Sequence, residues 1–451
     1  MSSFKASLSQ MRSRLSMFFG KPPPLASLEH VNLRPVAEEP DYYQAGGFHP
    51  VRLGDTFHHG QYTILRKLGY GQYSTVWLAR DSKRHGYVAL KMLRADCYGG
   101  HHDIFEREIL SRISEVSRQS SHQGRNYVSH LLEQFMHTGP NGDHVCLTFD
   151  VLGHHLDFQT AKYEDGKLPV RAVKVITRQL LLGLDFLHNE CGIVHTDLKP
   201  TNILLELENP NSTISHYLSK VPARTGPQRG VAAPLREVIP TSLVSETKHL
   251  HVRLIDFGVA SWRERHLSDL IQSPALRAPE VTIGAPWDIG VDIWSLGCLV
   301  RRSYSSSVRI MVQFILTYTL QKIMELVQGI VLFSGEASSN GTWTAEDDQL
   351  ARIIEVLGQF PLEFIEKGNR AAHFFDKQGN LLRIPDLKPT CLERLIAGET
   401  KPFLKPIDMP QGEVPIFVDF IKGMLQIDPA ARKSAAELLQ HEWIHLENSA
   451  K

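Results

Sequence analysis

His195-Thr196-Asp197-Leu198-Lys199-Pro200-Thr201-Asn202 sets a carboxylate, an ammonium and an amide side by side in one short stretch. Asp197 can accept a proton from a hydroxyl and orient it for in-line attack. Lys199 can neutralise charge on a phosphoryl group in transfer, and Asn202 can ligate magnesium through its amide oxygen.

Upstream of this loop, Gly69-Tyr70-Gly71-Gln72-Tyr73-Ser74-Thr75-Val76 offers glycines that let a backbone approach phosphates. A third glycine is replaced by Ser74, and by itself the stretch reads equally well as a hairpin turn. Tyr62–Leu65, Ser74–Ala79 and Tyr87–Lys91 are short β-branched and aromatic runs, as antiparallel strands require. Phe105 to Ile113 changes to helical spacing, with Ile109, Leu110 and Ile113 on one face, and His144 to Val151 returns to strand. After Pro169 the chain is mainly helical: Val173, Ile176, Leu180, Leu184 and Leu187 mark one long amphipathic helix. Val252-Arg253-Leu254-Ile255 leads into Asp256-Phe257-Gly258, followed by Ala278-Pro279-Glu280, Asp292-Ile293-Trp294-Ser295 and Arg432.

A β-rich part followed by a helical part predicts an α+β protein of two lobes, with a nucleotide cleft between them. The expected boundaries are a tail at 1–50, a small β-rich N-lobe at 51–152 and a larger, mainly helical C-lobe at 153–446. Residues 207–250, rich in Pro, Ser, Thr and Gly, read as a flexible spacer. Of the 451 residues, 49 are Lys or Arg and 49 Asp or Glu, so overall charge favours neither nucleic acid nor membrane as partner. Five widely spaced cysteines without a C-x-x-C pair argue against a disulfide framework or zinc site and for a reducing compartment. The histidine doublets lack a third ligand at metal-binding spacing.

The ordered set resembles the protein kinase superfamily over about residues 60 to 446. The resemblance implies the two-lobed kinase fold and transfer of the ATP γ-phosphoryl group with Mg2+. Asp197 and Lys199 are then catalytic, Asn202 and Asp256 bind metal, and Lys91 holds the α- and β-phosphates. The ion-pair partner of Lys91 is expected at Glu106, where Ile109, Leu110 and Ile113 fall at fitting offsets, with Glu108 as the alternative. Gly69, Tyr70, Gly71, Ser74, Val76, Ala89, Phe149, Asp150, Leu152 and Leu204 complete the implied ATP site. Asp292 would anchor the catalytic loop backbone, and Arg432 would pair with Glu280. Lys199 marks the serine/threonine type.

Thr196 stands where most regulated kinases carry an arginine that grips an activation-loop phosphate, so substantial basal activity is expected. His195-Thr196-Asp197 also resembles the SR-protein kinases. So do Phe149-Asp150-Val151-Leu152-Gly153-His154-His155-Leu156, the Gly183–His188 stretch and the lead-in Gly47-Phe48-His49-Pro50-Val51-Arg52-Leu53-Gly54-Asp55. That family phosphorylates serines in Arg-Ser repeats of splicing factors. An arginine-rich substrate needs carboxylates, and Asp347, Asp348 and Glu355 lie where the family's acidic docking groove lies. The same residues also suit a helix N-terminus. The implied partners are ATP and Arg-Ser-rich proteins, with no direct nucleic acid or membrane contact and a monomeric state. Cytoplasm and nucleus are the implied compartments. The basic, serine-rich first 28 residues also have the composition of a mitochondrial transit peptide or of a disordered tail.

One stretch departs from the pattern. The helix from Asp292 should continue, but Val300-Arg301-Arg302-Ser303-Tyr304-Ser305-Ser306-Ser307 breaks it, and removing about residues 300–322 restores it. A retained intron, a looped-out insertion and a membrane helix are the three readings; the apolar run Ile310–Leu320 is short for the last. An interrupted helix also leaves open a kinase-fold scaffold with impaired catalysis.

Overall fold

The computed structural model describes residues 40–98, 104–160, 163, 168–223, 250–298, 332–398 and 405–445, all in one compact unit. Strands β1 (Thr56–Phe57), β2 (Tyr62–Tyr70), β3 (Ser74–Asp81), β4 (Gly86–Leu93), β5 (Glu133–Gly139) and β6 (Gly142–Phe149) form an antiparallel sheet ordered β1-β2-β3-β4-β6-β5. Helix α1 (Glu106–Gln119) packs beside it. Side chains alternate between the faces of a strand, and β4 shows it. Val88, Leu90 and Met92 join Trp77, Ala79 and Tyr62 in one core, while Ala89 and Lys91 face the other way. The register lines up Gly69, Val76, Lys91 and Leu147 across four strands, with Leu78, Ala89 and Phe149 in the next same-facing row.

The C-lobe is built on α2 (Val170–Asp185), whose buried face runs through Val173, Ile176, Leu180 and Leu184. Leu187, expected on the same helix, falls in the wider π-turn Phe186–Cys191 that ends it. Short strands β7 (Ile193–Val194) and β8 (Ile203–Leu205) flank the catalytic loop. They pair with β10 (Ser261–Trp262) and β9 (Val252–Leu254) respectively. Helices α4 (Gly290–Cys298), α5 (Ala345–Leu357) and α6 (Glu413–Met424) surround α2's core.

Two expectations are revised. Residues 40–50, assigned to a tail, pack as part of the N-lobe: Phe48 is 1% exposed, and Ala95 N and Asp96 N donate to the carbonyls of Gly47 and Gly46. The stretch expected to be a flexible spacer begins with a helix, α3 (Pro210–Lys220). Ile214 and Tyr217, three residues apart, form an apolar stripe that closes on Leu78, Val151 and Leu207. Tyr87 Oη and Ser215 Oγ lie 2.9 Å apart, and Arg66 donates to Val221 O at 3.0 Å. A C-lobe segment thus bridges to N-lobe strands next to the hinge. Residues 224–249 of that spacer, the first 39 residues and the anomalous 300–322 stretch lie outside the described residues. On the near side of that stretch Cys298 is buried, and beyond it Phe333 stacks on Trp294 with centroids 5.5 Å apart.

Candidate active site

The row Gly69–Val76–Lys91 puts the lysine beneath the glycine turn, on the sheet face turned to the C-lobe. Lys91 Nζ donates to Glu106 Oε1 at 2.6 Å and to Asp256 Oδ1 at 2.9 Å. Glu106 is the partner because the first turn of α1 points it inward, at 2% exposure. Glu108 instead faces Arg107 and Tyr98. Burial works against the Lys91 ammonium, but Asp256 and Glu106 outweigh it and hold its pKa above the ordinary lysine value. The Lys91 charge in turn holds Asp256 down at about 2, against the cost of burial.

Asp292 organises the catalytic loop from below. Its Oδ2 accepts from His195 N at 2.8 Å and its Oδ1 from Thr196 N at 2.9 Å, and His188 Nε2 lies 2.9 Å from Oδ2. Burial opposes the Asp292 charge, but His188 and these amides prevail and keep its pKa below the usual carboxylate value. Thr196 sits at φ +63° and Asp256 at φ +64°, left-handed positions that a side chain adopts only under surrounding constraint. His195 Nδ1 accepts from Asp197 N at 3.3 Å, so its Nε2 carries the hydrogen donated to Ile255 O at 3.0 Å. The loop is thereby fastened to the strand that delivers Asp256.

Asp197 is held at both oxygens. Lys199 Nζ donates to Oδ2 at 2.5 Å, Asn202 Nδ2 donates to the backbone carbonyl at 3.0 Å, and Ser273 Oγ donates to Oδ1 at 3.1 Å. With its nitrogen so engaged, Asn202 has its amide oxygen left for a hard cation. Ile255 N donates to Asn202 O at 3.0 Å, which sets Asn202 beside Asp256. Two oxygen donors next to a proton acceptor and a lysine fit a magnesium-bound phosphate chain.

At the hinge, Gly153 N donates to Leu205 O at 2.7 Å and Leu205 N to His154 O at 3.1 Å. The chain directly after Phe149–Leu152 is thus stitched to β8, which carries half-buried Leu204. Arg253 joins hinge Asp150, at 3.3 Å, to Glu206. His154 Nε2 lies 2.7 Å from Gln159 Oε1, a structural use of the doublet.

The segment from Asp256 to Glu280 is fastened by residues that the sequence did not single out. Gln272, at φ +65°, donates to Val291 O at 2.9 Å and Ser295 Oγ at 2.8 Å and accepts from Ala278 N at 2.9 Å. Arg277 donates to Ile271 O and Gln272 O. His266 stacks on Trp287 with centroids 3.6 Å apart. To these is added the pair expected from the sequence: Glu280 and Arg432, their side chains fully buried, meet at 2.6 and 2.9 Å. Removing one partner would strand a buried charge, a loss of about 3–5 kcal/mol.

Of the three expected docking carboxylates, Asp347 is corrected. It is 1% exposed, caps α5 through Thr344 and takes a two-pronged contact from Arg383 at 2.6 and 2.7 Å. Its acidity at a helix N-terminus serves the helix. Asp348, 19% exposed, accepts from Arg352 Nε and Glu336 N, and half-buried Glu355 accepts from Lys388 N.

The protein kinase domain family matches residues 62–444. The chain belongs to the protein kinase family. It is 32% identical to the serine/threonine-protein kinase SRPK of Physarum polycephalum over 89% of this chain and 90% of that one. It is 29% identical to the protein kinase dsk1 of Schizosaccharomyces pombe, over 90% of this chain and 85% of that one. It is 26% identical to the SRSF protein kinase 3 of Mus musculus, over 90% of each. The kinase is of the serine/threonine type, on the SR-protein kinase branch.

Proposed function

We propose that this kinase transfers the γ-phosphoryl group of ATP to serines in Arg-Ser-rich proteins of the splicing-factor kind. The observation that carries the reading is the assembled constellation: Lys91 on Glu106, with Asp197, Asn202 and Asp256 gathered around one another. A scaffold without turnover would have no need of it. A substrate hydroxyl donates its hydrogen to Asp197, which orients the oxygen toward the γ-phosphorus. Lys199 offsets charge on the transferring group. Lys91, kept in place by Glu106, orients the α- and β-phosphates. Asn202 and Asp256 would hold Mg2+, which supplies charge neutralisation on the phosphate oxygens.

Preference for arginine-rich substrates rests on the names of the relatives and on Asp348 and Glu355, part-exposed carboxylates one α5 face could offer to guanidinium groups. We assign the protein to cytoplasm and nucleus as a monomer on the same family grounds. Replacing Asp348 and Glu355 together by alanine should raise KM for an Arg-Ser peptide about tenfold and leave KM for ATP unchanged. Equal effects on both substrates would remove the docking assignment.

A further inference from the structure

Helix α5 grips the turn that carries Ser273. Gln349 is 3% exposed; its Nε2 donates to Pro274 O at 2.7 Å and reaches Arg277 O at 3.4 Å, and its Oε1 accepts from Thr282 Oγ1 at 3.5 Å. One turn earlier on the same face, Glu346 Oε1 accepts from Arg277 at 3.3 Å. Arg277 donates onward to Ile271 O at 3.1 Å and Gln272 O at 3.3 Å. Carbonyls on both sides of Ser273 are therefore tied to α5, directly through Gln349 and indirectly through Glu346. Ser273 passes the constraint on, because its hydroxyl donates to Asp197 Oδ1 at 3.1 Å while Lys199 takes Oδ2. A carboxylate held at both oxygens cannot turn about its own axis.

We propose that Gln349 is a positioning residue for phosphoryl transfer: it fixes Pro274, hence Ser273, hence the orientation of the Asp197 carboxylate. Glutamine suits the place because a buried neutral amide can donate to one carbonyl and accept from Thr282 at once. A glutamate of the same shape would turn an acceptor toward the Pro274 carbonyl. The inference rests on the kinase reading and is independent of Arg-Ser preference.

The test is steady-state kinetics on a degenerate serine and threonine peptide library. Gln349→Met, similar in length and without a donor, should lower kcat about tenfold, the loss of one ordering hydrogen bond, with KM for ATP unchanged. In a Ser273→Ala background the same substitution should cost less than about twofold, because the link is already cut. A folded Gln349→Met protein with wild-type kcat overturns the proposal. So does a full tenfold loss added on top of Ser273→Ala, which would mean a role that bypasses Ser273. Should Gln349→Met fail to fold, Gln349→Glu, which keeps the shape but turns an acceptor toward the Pro274 carbonyl, tests the same link, and a wild-type kcat or additivity with Ser273→Ala again overturns the proposal. A wild-type chain that phosphorylates no library peptide removes the kinase reading and this inference together.

Discussion

Thr196 donates its hydroxyl hydrogen to the carbonyl of Val259 at 2.7 Å. A neutral hydrogen bond thus secures the start of the activation segment at the position where most regulated kinases place an arginine. With Gln272, Arg277 and the His266–Trp287 stack completing the hold, the segment should stay ordered without a phosphate. The protein treated with phosphatase, and its Ser268→Ala variant, should retain wild-type kcat within about twofold. Activity that emerges only after phosphorylation of Ser268 or Ser273 would sink this account.

The nucleotide site depends on one coupled triad. Lys91→Ala should lower kcat/KM by roughly two to three orders of magnitude, the usual weight of a preorganised charge at a transferring phosphate. Glu106→Gln keeps the shape but removes a carboxylate that holds Lys91, and a loss of about tenfold should follow, visible in KM for ATP as well as kcat. Glu108→Gln serves as the control and should be silent; a large effect there would reassign the pair.

Asp347 is a stability residue. Asp347→Ala removes the N3 half of the Thr344 capping box and the Arg383 contact, so chemical denaturation should show a loss of about 1–3 kcal/mol. The ratio of KM values for Arg-Ser and arginine-free peptides should not change. A selective loss of Arg-Ser binding would return Asp347 to the docking surface.

How far the sequence went is clear from particular residues. Lys91, Asp197, Asn202 and Asp256 stand out in the sequence because they fit a motif pattern in that order, and the fold brings them together. Glu106 followed from helical offsets to Ile109, Leu110 and Ile113. The α3 helix was hidden, since the surrounding composition is that of a spacer and only Ile214 and Tyr217 signal burial. Gln272 and Gln349 carry no local signal at all: a glutamine is ordinary on a surface, and only tertiary placement turns it onto buried carbonyls. Asp347 misled because an acidic helix start and an acidic docking site look alike in one dimension.

The α3 bridge also has a measurable consequence. Ile214 is fully buried against Leu78 and Val151, so Ile214→Ala should cost about 2–5 kcal/mol, the usual range for a large-to-small core change. Hydrogen exchange should quicken in β3 and at the hinge. Exchange that rises only within residues 210–220 would show that the helix does not brace the N-lobe.

Acid should weaken the N-lobe through its histidines. Burial, then His137 and His144, push the His49 pKa down from 6.5 to about 4. His137 and His144 are lowered as well, mainly by burial, opposed by Asp55 at His137 and by the Leu93 carbonyl and then Asp143 at His144. The unfolded chain therefore binds more protons between those values, so this contribution to stability is fully present above 6.5 and is lost as pH falls toward 4. His49→Phe, set among Phe57 and the two imidazoles, should flatten that part of the melting-temperature profile. An unchanged slope would locate the acid sensitivity elsewhere.

The proposed activity is that of a serine kinase acting on arginine-rich substrates with Asp197 as its base. The most direct measurement compares incorporation of phosphate from ATP into an Arg-Ser repeat peptide and into a Ser-Pro peptide, by the wild-type protein and by Asp197→Ala. Wild type should label the Arg-Ser peptide strongly and the Ser-Pro peptide weakly, and Asp197→Ala should lower both by at least two orders of magnitude. Equal labelling of the two peptides would contradict the substrate assignment, and labelling that survives Asp197→Ala would contradict the chemistry.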